Sequence, residues 1–230
     1  MRITLALLIA LLAVTAVAAD DGPAIEDNSF LIEEAYNQDP RVVQHIFTYA
    51  HARDGSWFGS FTQEWPVGSQ KHQLSYSLPI DRDGIGDSEL NYRYQLFGGD
   101  NSHVAIAPRV SLVLPANGDK RGVDVMFPIS VINSLRLYTH YNLGITHTSD
   151  TRTTAGFSAI YVMQPKVHAM LETLAQREHS TTTLTISPGV RWAYDFKNGL
   201  QIVPGIAVPV TVRPEHERAV FLYLSFEHPF

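Results

Sequence analysis

Three sets of residues in this chain have types and spacings that could do chemistry. His147-Thr148-Ser149 sets an imidazole two positions from a hydroxyl, so that on a strand both share one face and the ring could activate the oxygen for ester hydrolysis. Glu64, Arg93, Arg109, Asp124, Glu172 and Arg191 form a second set, each placed mid-segment among large apolar residues. Three acids there balance three bases, and charges held away from water must pair with one another. The ten histidines form the third set, but none has a close H-x-x-x-H partner or a carboxylate at working spacing, and the chain has no cysteine. The sequence therefore assigns no metal and no cofactor.

The hydrolytic pair is weak on its own terms. His147 opens a predicted loop, with Asp150 and Thr151 following Ser149, and no nucleophile elbow occurs elsewhere. Such a pair arises readily by chance in a chain rich in His, Ser and Thr. The expectation is a protein that is not an enzyme.

The charge set gains meaning from the elements that carry it. From Val42 onward, segments of roughly ten residues alternate apolar and polar side chains, separated by Gly, Asn, Asp, Ser and Pro clusters, which is the period of strands. Leu90, Tyr92, Tyr94 and Leu96 fall on one face of such a segment, with Asn91, Arg93 and Gln95 on the other. Twelve strands are read in this way: Val43 to Tyr49, Trp57 to Val67, Leu74 to Leu78, Leu90 to Leu96, Val104 to Leu114, Val123 to Val131, Leu137 to Ile145, Thr153 to Met163, Val167 to Gln176, Leu184 to Tyr194, Leu200 to Val212 and Val220 to Phe230. Connections such as Arg53-Asp54-Gly55-Ser56 and Lys197-Asn198-Gly199 are short, so neighbouring strands must be antiparallel.

Two features resist this pattern. Pro66, Pro79, Pro108, Pro128, Pro188, Pro204 and Pro209 fall inside predicted strands, where each removes a ladder donor. Ala169 to Glu178 is composed of good helix formers, and only its place in a regular series makes it a strand.

A soluble sandwich also alternates, so the wet face decides the fold class. Large apolar residues cover one face along nearly the whole strand, the six charges sit mid-strand on the other, and Trp57, Trp65, Tyr138, Tyr161 and Trp192 lie near strand ends as an interfacial girdle requires. The expected fold is all-β: a closed antiparallel transmembrane β-barrel over residues 42–230, its charges in the lumen and its outer face in lipid.

The ends place this barrel in a compartment. Met1-Arg2 followed by an apolar run to Ala18 reads as a signal peptide over residues 1–19, cleaved at a small-residue site; an uncleaved anchor is the alternative, but acids rather than a basic stop-transfer cluster follow. Residues 20–41 form an acidic periplasmic segment, either a short amphipathic helix near the barrel mouth or an ordered tail, with the tail preferred. At the other end Leu222, Leu224, Phe226 and Phe230 share one face of a strand closed by an aromatic residue, the pattern by which the barrel-assembly machinery recognises outer-membrane proteins; His228 departs from it.

The runs Asn28 to Gln38, Val43-Gln44-His45-Ile46, Ser60 to Val67, Gly84-Ile85-Gly86-Asp87 leading into Leu90 to Leu96, and Ser187 to Ala193 resemble the outer-membrane barrel family labelled as a transporter of the meta-pathway of phenol degradation. That resemblance implies passage of small, aromatic or hydrophobic solutes, and it brings no catalytic residue with it. Loss of Arg2 with the leader takes the formal charge from −6 to −7, and no basic cluster exists to track a phosphate backbone, so nucleic acid is not an expected partner. The expected partners are outer-membrane lipids, the assembly machinery and a small solute. A passive pore leads, a sealed structural or docking barrel is the alternative, and a barrel lipid hydrolase using His147 and Ser149 comes last.

Overall fold

Alternation of apolar and polar residues with short turns folds residues 42–230 into one antiparallel sheet that closes on itself. The computed structural model describes residue 25 and residues 29–99, 102–116, 118 and 121–230; the signal peptide expected over residues 1–19 lies outside them. Twelve staves follow in chain order. They are β1 (Val42–Ala52), β2 (Trp57–Val67), β3 (Ser69–Asp81), β4 (Gly84–Ile85 and Ser88–Tyr94), β5 (Val104–Ile106 and Arg109–Leu114), β6 (Gly122–Ser134), β7 (Leu137–His147), β8 (Thr151–Gln164), β9 (Val167–Glu178), β10 (Thr181–Trp192 and Tyr194–Asp195), β11 (Gln201–Ala207 and Val210–Arg213) and β12 (Glu217–Pro229). Each pairs with its sequence neighbours, and β1 closes on β12 in a register running from Val42↔Pro229 to Ala52↔Ala219. Closure pairs both edges of the sheet, as a lipid environment requires.

The prolines explain where staves break. Pro108 lies in the gap within β5 and Pro209 in the gap within β11, while Pro66 marks a register shift between β2 and β3. The broken staves stay attached through the carbonyls of prolines on their neighbours: Ala107 N–H donates to Pro128 O at 3.3 Å and Val208 N–H to Pro188 O at 3.0 Å. A missing donor on one stave thus faces an irregularity on the next, which is how a sheet interior tolerates proline. The helix formers of Ala169 to Glu178 lie in β9, because pairing on both sides outweighs their propensity.

The two faces of the wall differ as alternation predicts. Leu90, Tyr92 and Leu96 are exposed on the outside, whereas Asn91, Arg93 and Gln95 are buried within. Phe47, Phe127, Leu143, Leu171 and Leu222 continue the exposed apolar surface around the barrel. An outer face this apolar is an aggregation hazard in water and a solvation match in lipid.

The interior is filled in part by residues 29–38. They contain no helix; a turn at Asp39 to Val42, closed by Val42 N–H to Asp39 O at 3.0 Å with Arg41 at φ 65°, folds them back from β1 into the lumen. The helix alternative at the barrel mouth is therefore not what forms; the segment is ordered without regular structure and lies inside the barrel. Phe30 packs among Ile46, Ile160, Met170, Ala207, Phe221 and Tyr223, and Ala35 among Ala105 and Ala107. Close approach is possible because the wall carries glycine there: a Cβ on Gly205 would run into the Phe30 ring, and one on Gly156 into Ile32 Cδ1. Burial of that apolar surface, together with the polar contacts below, outweighs the entropy of ordering the segment.

Candidate functional site

Alternation sends the polar face of every stave into the lumen, and the six charges anticipated from sequence all lie there, each carried by a different stave. Glu64, Arg93, Asp124, Glu172 and Arg191 are buried, and the Arg109 side chain is only 12% exposed. Two acid–base pairs form within the set, and the other two members find partners outside it. Arg93 meets Glu64 at 3.5 Å and Arg109 meets Asp124 at 3.0 Å. Arg191 instead meets Glu34 at 3.4 Å, and Glu172 Oε1 accepts N–H groups from Leu31 at 2.8 Å and Ile32 at 3.2 Å. The interposed segment is the physical reason, since it supplies partners that a bare barrel would lack.

Arg109 is the most heavily bonded of these groups. Its guanidinium reaches Glu33 at 2.7 Å, Glu89 at 3.4 Å, Asp124 at 3.0 Å and Asn91 Oδ1 at 2.8 Å, and it also donates to Ser111 Oγ. A planar fork with five donors suits this role, whereas an ammonium would satisfy fewer acceptors in fixed directions. Arg93 likewise donates to Asn37 Oδ1 at 3.0 Å and to the carbonyls of Glu34 at 3.1 Å and Tyr36 at 3.0 Å.

Backbone amides of the segment are satisfied one after another by wall side chains. Asn142 Oδ1 accepts from Glu33 N–H at 2.8 Å and Ser130 Oγ from Ala35 N–H at 2.7 Å. Gln95 Oε1 accepts from Asn37 N–H at 3.3 Å and Gln73 Oε1 from Gln38 N–H at 2.7 Å. Irregular backbone is thereby accommodated inside a barrel without forming a strand. Sequence reasoning missed Glu33, Glu34 and Glu89 as lumen charges, and the first two could not be found by period because their segment has none. Among the described residues Glu33, Glu34, Glu64, Glu89, Asp124 and Glu172 face the lumen with Arg93, Arg109 and Arg191, and Glu227, opposite Gln44, adds a further inward carboxylate.

Between the segment and β1 to β5 a cavity of about 220 Å³ remains. One wall is apolar, made by Phe30, Ile32, Ile46 and Tyr223; the other presents Thr48, Ser60, Thr62, Ser75 and Ser77 with Glu64, Glu89, Arg93 and Arg109. Such a cleft can solvate a small molecule that has both an apolar face and polar groups.

The hydrolytic pair is not assembled. His147 Nδ1 lies 2.9 Å from Thr151 Oγ1, and Ser149 Oγ donates to Asp150 Oδ2 at 3.4 Å, both on the exposed rim. Among the described residues no group of three or more His, Cys, Asp or Glu side chains converges as a metal cage. Of the terminal-strand residues, Leu222 and Phe230 are exposed on the outside, while Leu224 and Phe226 are half-buried against the neighbouring staves.

No family model and no curated protein matches the sequence. Solved structures do match the fold. The chain is similar to the KdgM porin with a TM-score of 0.64 at 12% identity, covering 81% of this chain and 99% of the porin. It is similar to the COG4313 outer membrane channel from Pseudomonas putida F1 with a TM-score of 0.64 at 12% identity, over 89% of this chain and 100% of that one. The NanC porin follows at a TM-score of 0.61 and 12% identity, over 79% of this chain and 98% of the porin. The fold is that of small outer-membrane channels: an all-β, closed, twelve-stranded antiparallel barrel.

Proposed function

We propose that this protein is a passive outer-membrane channel for small solutes. The reading is carried by one observation: a cleft with one apolar and one polar wall persists beside the segment in a barrel whose outer face is apolar. In this reading residues 1–19 are a cleaved leader, residues 20–41 the acidic segment whose residues 29–38 enter the lumen, and residues 42–230 the barrel. The exposed face of β12 with Phe230 serves recognition by the assembly machinery, and lipid surrounds the wall.

Solute class follows from the lining. Excess carboxylates disfavour anions, and the opposition of Phe30 and Tyr223 to Ser, Thr and Arg side chains suits a neutral or cationic molecule with one apolar face, such as a ring bearing a hydroxyl or amine. This narrows the aromatic or hydrophobic class implied by the family resemblance to its amphiphilic members.

The alternative of a sealed scaffold is favoured by a separate observation, the occupation of the lumen by residues 29–38. Two experiments decide between these readings. The mature protein should fractionate with outer membranes and shift in gel mobility on boiling; recovery as a detergent-free periplasmic monomer refutes the membrane reading. In planar bilayers the purified barrel should give discrete ion conductance, and silence across preparations that pass the gel-shift test gives the lead to the scaffold.

A further inference from the structure

Barrel closure brings together two histidines that stand 183 positions apart in the chain. His45 on β1 and His228 on β12 both point outward at the end of the barrel where the first strand begins, on a diagonal across the seam, since Val43 is paired with His228 and His45 with Phe226. Their Nε2 atoms are 3.3 Å apart although the ring centroids are 5.4 Å apart, so the rings converge on their Nε2 edges and splay elsewhere. Two imidazole nitrogens at about 2.05 Å from one tetrahedral Zn²⁺ would be separated by roughly 3.3–3.4 Å. The pair therefore stands at chelating distance without rearrangement.

The surroundings favour the ligand form of these rings. His228 Nδ1 lies 3.1 Å from Pro229 O, a contact that holds the proton on Nδ1 and leaves the Nε2 lone pair free to bind; a backbone carbonyl in this position is the usual outer support of a metal-bound histidine. Without metal, His45 Nε2–H donates to that lone pair; on chelation the His45 proton moves to Nδ1 and no net proton is released. Phe61 stacks on the His45 ring at a centroid distance of 6.1 Å and an interplanar angle of 12°, fixing its plane.

We infer that His45 and His228 form a two-histidine site for one divalent cation of the imidazole-binding class, Zn²⁺, Ni²⁺ or Cu²⁺, with water completing the coordination shell. The cation joins the first strand to the last and so reinforces the seam at which the barrel closes. Hard cations such as Mg²⁺ prefer oxygen ligands and are excluded by the same chemistry.

The test uses the full mature barrel, free of any histidine tag, in detergent. Titration with Cu²⁺ followed by electron paramagnetic resonance should show a first bound ion carrying hyperfine structure from two imidazole nitrogens. His45→Ala and His228→Ala should each weaken that first site at least tenfold, while His147→Ala on the opposite rim leaves it intact. Zn²⁺ but not Mg²⁺ should raise the temperature of the gel-mobility shift in the parent and not in the two seam variants. A parent whose first Cu²⁺ shows no two-nitrogen signature overturns the site regardless of how the variants fold. Unchanged first-site affinity in both seam variants overturns it as well.

Discussion

Replacing Arg109 with Ala tests whether the lumen charges set ion passage. The substitution removes one positive charge from the edge of the cavity and leaves Glu33, Glu89 and Asp124 without their shared partner. Stability should fall by about 3 kcal/mol, the low end for breaking a buried ion pair. The low end applies because Glu33 and Glu89 side chains are 29% and 31% exposed and can rehydrate, whereas Asp124 is 6% exposed and retains the Thr146 hydroxyl at 2.6 Å. For selectivity, a unit charge about 7 Å from a passing ion in water is worth about 0.6 kcal/mol, or about 0.3 kcal/mol after screening at physiological salt. Cations gain that amount and anions lose it, so the cation-to-anion permeability ratio should rise roughly threefold to sevenfold. Reversal potentials under a salt gradient in planar bilayers measure this directly, alongside a conductance increase from the vacated volume. Leu112→Ala, placed on the outer face of β5, should alter neither quantity. If a correctly inserted Arg109→Ala barrel keeps the parent's reversal potential and conductance, Arg109 does not line a conducting path.

Three further outcomes follow from the same geometry. Deleting residues 21–38 should raise conductance severalfold while lowering the temperature of the gel-mobility shift, because Glu172, Arg93 and Arg191 lose the partners that the segment supplies; unchanged conductance would mean that the segment does not limit the path. Gly205→Leu should eject Phe30 from its seat and reproduce part of that conductance rise in a full-length chain, with protease accessibility of residues 29–38 as the readout; persistent protection would refute the glycine-cradle argument. Deleting Phe230 or replacing it with Asp should reduce outer-membrane accumulation far more than Asp54→Ala in the β1 to β2 turn, and equal accumulation of both variants would remove the assembly role given to the terminal residue.

The sequence alone determined the wall. A period of two fixes which side chains share a face, so Leu90 to Leu96 disclosed one lipid side and one lumen side without reference to any partner strand, and short Gly, Asn and Asp turns forced each strand to pair with the next. That local information placed Glu64, Arg93, Arg109, Asp124, Glu172 and Arg191 inside. Which groups those charges meet was decided only in three dimensions. Pairing across the lumen depends on the register accumulated around twelve staves and on a segment with no period at all, so Arg191 meets Glu34 and Glu172 accepts from backbone amides of that segment. Closure had the same consequence at the seam. His45 and His228 become neighbours because the first strand pairs with the last, a contact between opposite ends of the chain that no spacing within either strand could express.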